Sequence, residues 1–322
     1  SCEFCDIIVL YGRRPRTKRV EQVMREIETC YELGARSIFL VDDNFIGNKK
    51  EAKRLLEAIV AWQRERGTPL EFNTEVSLNV AQDDELLGLL HAANFPAVFV
   101  GIESPRAASL EETHKLQNLR EDSVAAVRRI QDAGIEVMAG MIVGFDHDDE
   151  GIFADHLRFL EEARIPIAMT GMLQAPRRTP LYERMRREGR LLGECGGDQF
   201  GFTNIRPARM SLEQLYRGYR ALLTEQYSYR AFRRRCMSLL LGKRLGSDRS
   251  AATWEEVRAG LRTLVTCVLG GGAQRAWFSL SILLETLWRR PSAVPYYMTM
   301  VSLHKPFQET TQHHCSELDG RS

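Results

Sequence analysis

The sequence has no apolar stretch long enough to cross a membrane as a helix. Its most apolar later segment, Ala276 to Trp288, is interrupted by Ser279, Ser281 and Glu285 and falls short of the ~20 residues a span needs, so it reads as a buried or docking helix. No secretory leader is recognisable. Neither charge is in excess: 44 basic residues face 43 acidic ones in a chain of 322, a formal net charge of +1. Such a balance offers no general attraction to nucleic acid or to an anionic membrane, so neither a nucleic-acid partner nor a transmembrane segment is expected. Cysteine is sparse and odd in number, seven in all, which argues against a disulfide framework and for a reducing, cytoplasmic setting. Two nucleotide signatures are also missing, since no strand leads directly into G-x-G-x-x-G or a phosphate-loop lysine motif. What remains is 44% hydrophobic and 27% charged, a composition able to bury one large core or two smaller ones.

Against that background the first six residues stand out, S-C-E-F-C-D. Two thiols separated by two residues, with an aromatic beside the second, suggest a metal or cluster loop. A C-x-x-C pair supplies only two donors where an iron–sulfur or zinc site needs three or four, so a further donor is expected elsewhere in the chain or upstream of Ser1. The basic loop that follows, with Arg13, Arg14, Arg16 and Lys18, suits an anionic partner or a solvated surface equally well.

From Val20 a rhythm sets in. Val20, Val23, Met24, Ile27 and Tyr31 share one helical face before the stop at Gly34, and the run Ser37 to Asp42 reads as a parallel strand buried on both faces. The alternation then repeats: helix Lys49 to Arg66, strand Leu70 to Glu75, helix Asp83 to Ala93, strand Ala97 to Glu103, helix Asp122 to Ala133, strand Glu136 to Val143, helix Ile152 to Ala163, strand Ile167 to Leu173, helix Leu181 to Glu188. Strands alternating with helices through short loops mean a parallel sheet. Polar residues collect where the strands end: Asp42, Asp43 and Asn44; Glu75 and Ser77; Glu103 and Ser104; Asp146 after Gly144 and Phe145. In a barrel those ends converge on one mouth.

After Gly193 the rhythm breaks, and from Ser211 the pattern is helical only, with Ser211 and Gln214 at capping-box spacing. Helices are expected over Ser211 to Gln226, Ala231 to Leu241, Trp254 to Val268 and Ala276 to Arg289. The expected division is an α/β barrel over residues 1–195, a mainly helical domain over 196–310 and a disordered tail over 311–322, the tail including His313, His314 and Cys315. Arg233, Arg234, Arg235, Lys243 and Arg244 read as a solvated helix face, with an anion patch as the alternative.

Cys2 to Lys18, the run F-L-V-D-D-N-F-I-G-N-K-K (Phe39 to Lys50), F-N-T-E-V-S (Phe72 to Ser77) and V-G-I-E-S-P (Val100 to Pro105) resemble the cobalamin-binding branch of the radical S-adenosylmethionine superfamily, among it the hopanoid C-2 methylase and its unassigned relatives. The resemblance covers Ser1 to about Arg209; beyond it the chain looks like the domain of unknown function that follows the barrel in this branch. It implies a partial (β/α)6 TIM-like barrel, here lacking its first strand, followed by a mainly helical C-terminal domain. It implies a [4Fe-4S] cluster held by C-x-x-x-C-x-x-C, with Cys2 and Cys5 as the second and third thiolates, the first falling before Ser1, and Phe4 near the adenine. The chain is accordingly expected to be a fragment or an incomplete gene model.

The same resemblance places Asp42, Asp43 and Asn44 at the methionine amino group of S-adenosylmethionine and Glu103 and Ser104 at its ribose, with Glu75 at the same mouth. Gly140, Ile142 and Gly144 stand where a G-x-I-x-G-x-x-E motif approaches adenine, His147 replacing the glutamate. Carboxylates and amides suit an ammonium and a ribose, and small or apolar residues suit an adenine. The implied activity is reductive cleavage of S-adenosylmethionine, with cobalamin, held by an absent N-terminal domain, serving C-methylation of a small-molecule or lipid-like substrate. The implied electron donor is a flavodoxin or ferredoxin. No catalytic residue is assigned. Two alternatives stay open: a zinc or dithiol C-x-x-C protein, disfavoured because I-I-V-L and a basic, proline-containing loop follow where a redox motif opens a helix, and a non-catalytic remnant or interaction module.

Overall fold

The computed structural model describes residues 2–12, 14–115, 122–195, 202–242 and 272–319, with a few positions between 258 and 266. These fall into two compact units, one made of Ser1–Asp149 and Ile167–Arg209, the other of Glu150–Pro166 and Met210–Ser322. The division differs from the boundary expected at 195. The sequence rhythm follows chain order, whereas α7 (Ile152–Glu162), in register with the strand–helix repeat, is grouped with the helical residues.

The first unit is the α/β part. After α1 (Ile7–Tyr11) and α2 (Val20–Glu32), β1 (Ser37–Leu40), α3 (Lys49–Glu65), β2 (Glu71–Val76), α4 (Asp84–Ala92), β3 (Ala97–Glu103), α5 (Ala107–Glu112), α6 (Ser123–Asp132), β4 (Glu136–Val143), β5 (Ala168–Met172) and α8 (Pro180–Arg187) follow. All four strand pairings are parallel, in the order β1-β2-β3-β4-β5. A sequential all-parallel order with helical crossovers is the open arc of a (β/α) barrel. Asp83 and Asp122 cap α4 and α6, accepting from Leu86 N at 3.1 Å and Val124 N at 2.9 Å.

The strands are not buried on both faces as their apolar runs suggested. Phe72, Thr74 and Val76, Val98, Val100 and Ile102, and Val137, Ala139, Met141 and Val143 are fully buried, while the alternate residues Asn73, Glu75, Phe99, Gly101, Gly140 and Ile142 are only half-buried. One face of the sheet is sealed and the other open. Edge strand β1 leaves Phe39 47% exposed. The run after Cys5, read as non-helical, forms the short α1; the sequential parallel order nonetheless differs from a thioredoxin-like sheet.

The second unit comprises α7, α9 (Leu212–Gln226), α10 (Tyr229–Gly242), α11 (Gly272–Arg289) and α12 (Val294–Asp319). Ser211 and Gln214 form the reciprocal capping box, 3.1 and 2.7 Å. Of the helix read over Trp254 to Val268 only a few positions between 258 and 266 are described, and those are helical; Lys243 and Arg244 lie outside the described residues. Residues 311–319 of the expected tail are helical, since α12 runs to Asp319, with Thr311 and Leu318 buried seven residues apart. Polar composition hid that narrow stripe. Helix α11 is two-faced, burying Phe278 and Ile282 and exposing Trp277, Leu284 and Trp288. The arginine run is a solvated face only in part: Arg234 is exposed and pairs with Glu161, half-buried Arg233 donates to Glu285 and to Ser281, and Arg235 is fully buried against the Gln226 carbonyl.

Helices α7 and α9 meet so closely at Gly218 that a Cβ there would lie 2.0 Å from the Phe153 ring. Gly218→Ala should lower the thermal midpoint, the overpacking exceeding the helix-propensity gain of roughly 1 kcal/mol and leaving a net loss of about 1–2 kcal/mol. A midpoint equal to or above wild type would contradict that packing.

Candidate functional site at the open end of the sheet

Each strand delivers its candidate residues to the C-terminal end of the sheet, because parallel strands all finish on the same side. After β1, the Asn44 carboxamide accepts from the backbone N–H of Ser77 (3.0 Å) and from its hydroxyl (3.2 Å), tying two strand ends together. Asp42 accepts from Asn44 N at 2.9 Å, and both Asp42 and Asp43 are exposed. Glu75, half-buried, has its carboxyl pushed up by burial and then by Asp43 and Asp42. Asn44 thus holds loops together, while the three acids remain at the rim.

The end of β3 is distorted. Its register with β4 slips between Gly101 and Glu103, and Glu103 adopts φ +69°, a left-handed conformation that a non-glycine residue takes only under constraint. The slip turns the Glu103 carboxylate toward Lys115, and both side chains are largely buried. A Cβ at Gly101 would sit 2.5 Å from Glu103 Oε1 and 2.9 Å from Lys115 Nζ, so a side chain there would displace the ion pair. Gly101 and Gly140 are register partners, so glycine stands beside glycine on two strands next to this ion pair. Ser104 is buried and its hydroxyl accepts from Arg106 N at 3.2 Å, a turn role. Lys115 carried no signal in the sequence, standing outside every strand and motif.

Beyond β4 the run Gly144 to Asp148 folds into a turn whose four leading N–H groups are all taken by carboxylates. Asp148 accepts from Gly144 N (2.9 Å) and Phe145 N (3.0 Å), and Glu112 of α5 accepts from Asp146 N (2.8 Å) and His147 N (3.0 Å) and meets the His147 ring. Where the motif would have an acid, this chain has His147, and the carboxylate comes from Glu112 instead. Asp148 also accepts from the Ser109 hydroxyl at 2.8 Å, yet burial outweighs these bonds and pushes its carboxyl up to about 6. Burial would raise Asp146 too, but hydrogen bonds from Arg190 and Arg184 hold it below the usual carboxylate range.

The C-x-x-C loop lies against this turn. Phe4 packs 6.0 Å from the Phe145 ring, centroid to centroid, with Ile142 on the same apolar cluster. Glu3, 8% exposed, receives the Arg184 fork, Nε to Oε1 at 2.8 Å and Nη2 to Oε2 at 3.0 Å. Cys2 and Cys5 are free, half-buried thiols; burial pushes both up, and Lys115 pulls both down. Two sulfur donors on one anchored loop beside a cation suit a thiolate-held metal group, whose own charge would displace both protons. Among the described residues no third His, Cys, Asp or Glu joins them, so they provide part of a ligand set. Glu3, Glu112, Asp148, Arg184 and Arg190 were missed as site residues, being unremarkable in their local sequence.

Comparison with known proteins bears on the family and the fold. The family description "Radical SAM superfamily" matches residues 1–160, and a domain of unknown function, DUF4070, matches 179–319. The chain is 47% identical over 230 residues to an uncharacterised methyltransferase of Synechocystis sp. (strain ATCC 27184 / PCC 6803 / Kazusa), spanning 70% of this chain and 43% of that protein. It is 44% identical over 193 residues to the hopanoid C-2 methylase of Rhodopseudomonas palustris (strain TIE-1), spanning 60% and 37%. The chain thus spans less than half the length of the curated relatives it matches. Among solved structures, the cobalamin-dependent S-adenosylmethionine radical enzyme OxsB with aqua-cobalamin and S-adenosylmethionine bound shares the fold at TM-score 0.52 and 14% identity, over 99% of this chain and 53% of that one. The radical S-adenosylmethionine methyltransferase TsrM from Kitasatospora setae, with cobalamin and a [4Fe-4S] cluster bound, gives 0.52 and 15% over 95% and 59%.

The buried Asp148 gives the turn a pH dependence. Its folded pKa of about 6 lies above the ordinary 3.8, so between about pH 4 and pH 6 the folded state binds the extra proton and stability falls as pH rises, by at most about 3 kcal/mol. Asp148→Asn can keep the bonds to Gly144, Phe145 and Ser109 without titrating. Urea melts should show the variant gaining on wild type across that window, and an unchanged difference would contradict the assignment.

Proposed function

Because the chain belongs to the radical S-adenosylmethionine superfamily, we propose that the open end of its sheet binds S-adenosylmethionine beside a [4Fe-4S] cluster and that the protein is a methyltransferase acting on a substrate carbon. The observation that carries this reading is the convergence of an anchored C-x-x-C loop, a buried Glu103–Lys115 pair next to glycine backbone and an acidic rim at one strand-end mouth. Cys2 and Cys5 would hold the cluster with a third donor from beyond them. When bound, the cluster supplies the electron that breaks the carbon–sulfur bond of S-adenosylmethionine, giving methionine and a 5′-deoxyadenosyl radical.

The chain's own residues bind and orient. Asp42, Asp43 and Glu75 would meet the ammonium, and Glu103 with the turn at Ser104 the ribose. Phe4, Ile142 and the small residues Gly140 and Gly144 would give the apolar surroundings an adenine needs. Methyl transfer through cobalamin held elsewhere in the full-length protein and a small or lipid-like substrate extend the same reading, in line with the names of the relatives, and a flavodoxin or ferredoxin would be the one-electron donor the cluster needs.

Incubating the full-length protein with reductant, S-adenosylmethionine and cobalamin should yield 5′-deoxyadenosine, reporting radical cleavage, and S-adenosylhomocysteine, reporting methyl transfer, and Cys5→Ala should abolish the first. No product above a protein-free control would sink the proposal. Glu103→Gln should weaken S-adenosylmethionine binding by about 1.5–3 kcal/mol, the worth of a charge-assisted hydrogen bond, while the cluster spectrum stays intact and Glu317→Gln changes neither. Unchanged affinity would remove Glu103 from the site.

A further inference from the structure

The two residues between Cys2 and Cys5 are both held from outside the loop, one by charge and one by packing. Glu3 is grasped at three points: its N–H donates to the Thr113 carbonyl (3.0 Å), its carbonyl accepts from Leu181 N (3.1 Å), and its carboxylate takes the Arg184 fork. A third guanidinium nitrogen of Arg184 reaches Asp146 in the β4 turn, which Arg190 also engages. Phe4 packs on Phe145 in that same turn. A buried charge between two ligand cysteines is costly unless it is paired and specifies a geometry, and a bidentate fork fixes both direction and distance. Removing the guanidinium would leave the Glu3 and Asp146 carboxylates without their shared cation, and the loop would have to open to hydrate Glu3.

We propose that Arg184 is a positioning residue for the C-x-x-C loop, coupling Glu3 to the turn after β4 and so setting where Cys2 and Cys5 present their sulfurs. That these thiols bind a cluster rests on the function proposed above; the clamp itself does not.

The test separates the two. In the metal-free protein, alkylation by iodoacetamide followed site by site by mass spectrometry should be about tenfold faster at Cys2 and Cys5 in Arg184→Met and in Glu3→Gln, reflecting a larger open population of the loop. The double variant should be no faster than either single one. Arg184→Lys, which keeps the charge but not the fork, should fall between, and it decides the matter if Arg184→Met does not fold. Exposed Cys30 is the internal reference, and Arg186→Met, on the same helix but paired with Glu183 at the surface, should behave as wild type. Rates at Cys2 and Cys5 within about twofold of wild type in both Arg184→Met and Glu3→Gln would overturn the clamp. After anaerobic reconstitution of the full-length protein, Arg184→Met should lose iron to a chelator faster and show a shifted electron paramagnetic resonance signal, with Arg186→Met unchanged. Wild type that takes up no iron would refute the cluster reading while leaving the alkylation result to judge the clamp.

Discussion

Four consecutive backbone N–H groups at the end of β4, the first two of them buried, need acceptors, and the site is arranged around how that need is met. Donors left unpaired there would cost about as much as lost hydrogen bonds. Two carboxylates divide them, Asp148 from within the turn and Glu112 from α5. With its main chain so fixed, the turn can aim Asp146 at Arg184 and Arg190 and set Phe145 under Phe4. The C-x-x-C loop inherits its position from a strand end more than 130 residues away in sequence, as read from the numbers of the residues themselves.

The mouth beside it is shaped by a different economy, that of removing side chains. Gly101 and Gly140 face each other across β3 and β4, the space over Gly101 taken by Glu103 and Lys115 and that over Gly140 by the Phe99 ring. That ion pair exists because β3 slips register and places Glu103 in a left-handed conformation. Strain of this kind survives only when the surroundings over-determine it, and it concentrates where a ligand is handled.

The helical unit is built by other means. Buried Arg235, held to the Gln226 carbonyl and near Glu161, and His304, whose ring meets the Tyr227 carbonyl at 3.0 Å and which burial pulls down to about 4, are polar groups serving the packing of their own helices. Charges that look like a binding patch in the sequence have acidic partners on neighbouring helices, Arg233 with part-buried Glu285 and exposed Arg234 with Glu161.

What the sequence determined by itself follows from local rules. Apolar periodicity and capping residues set the alternating helices and strands within a residue or two, so β3 and β4 lie where their patterns place them and Asp83, Asp122 and Ser211 cap as their types dictate, whereas α1, α5 and α12 went unread and α11 begins at Gly272, ahead of the expected Ala276. The parallel sheet follows from alternation alone, and the C-x-x-C loop and strand-end acids were legible as residue types at fixed spacing. Tertiary structure decided the rest, because the deciding partners are distant in sequence. Glu3 and Arg184 are 181 residues apart, Glu112 reaches a turn 34 residues on, and Lys115 matters only because Gly101 leaves it room. Which face of each strand is open, which arginines are solvated and whether a polar tail finds a groove depend on what the fold sets beside them. No local pattern encodes that neighbour, since burial and charge pairing are properties of the assembled surface rather than of any stretch of chain.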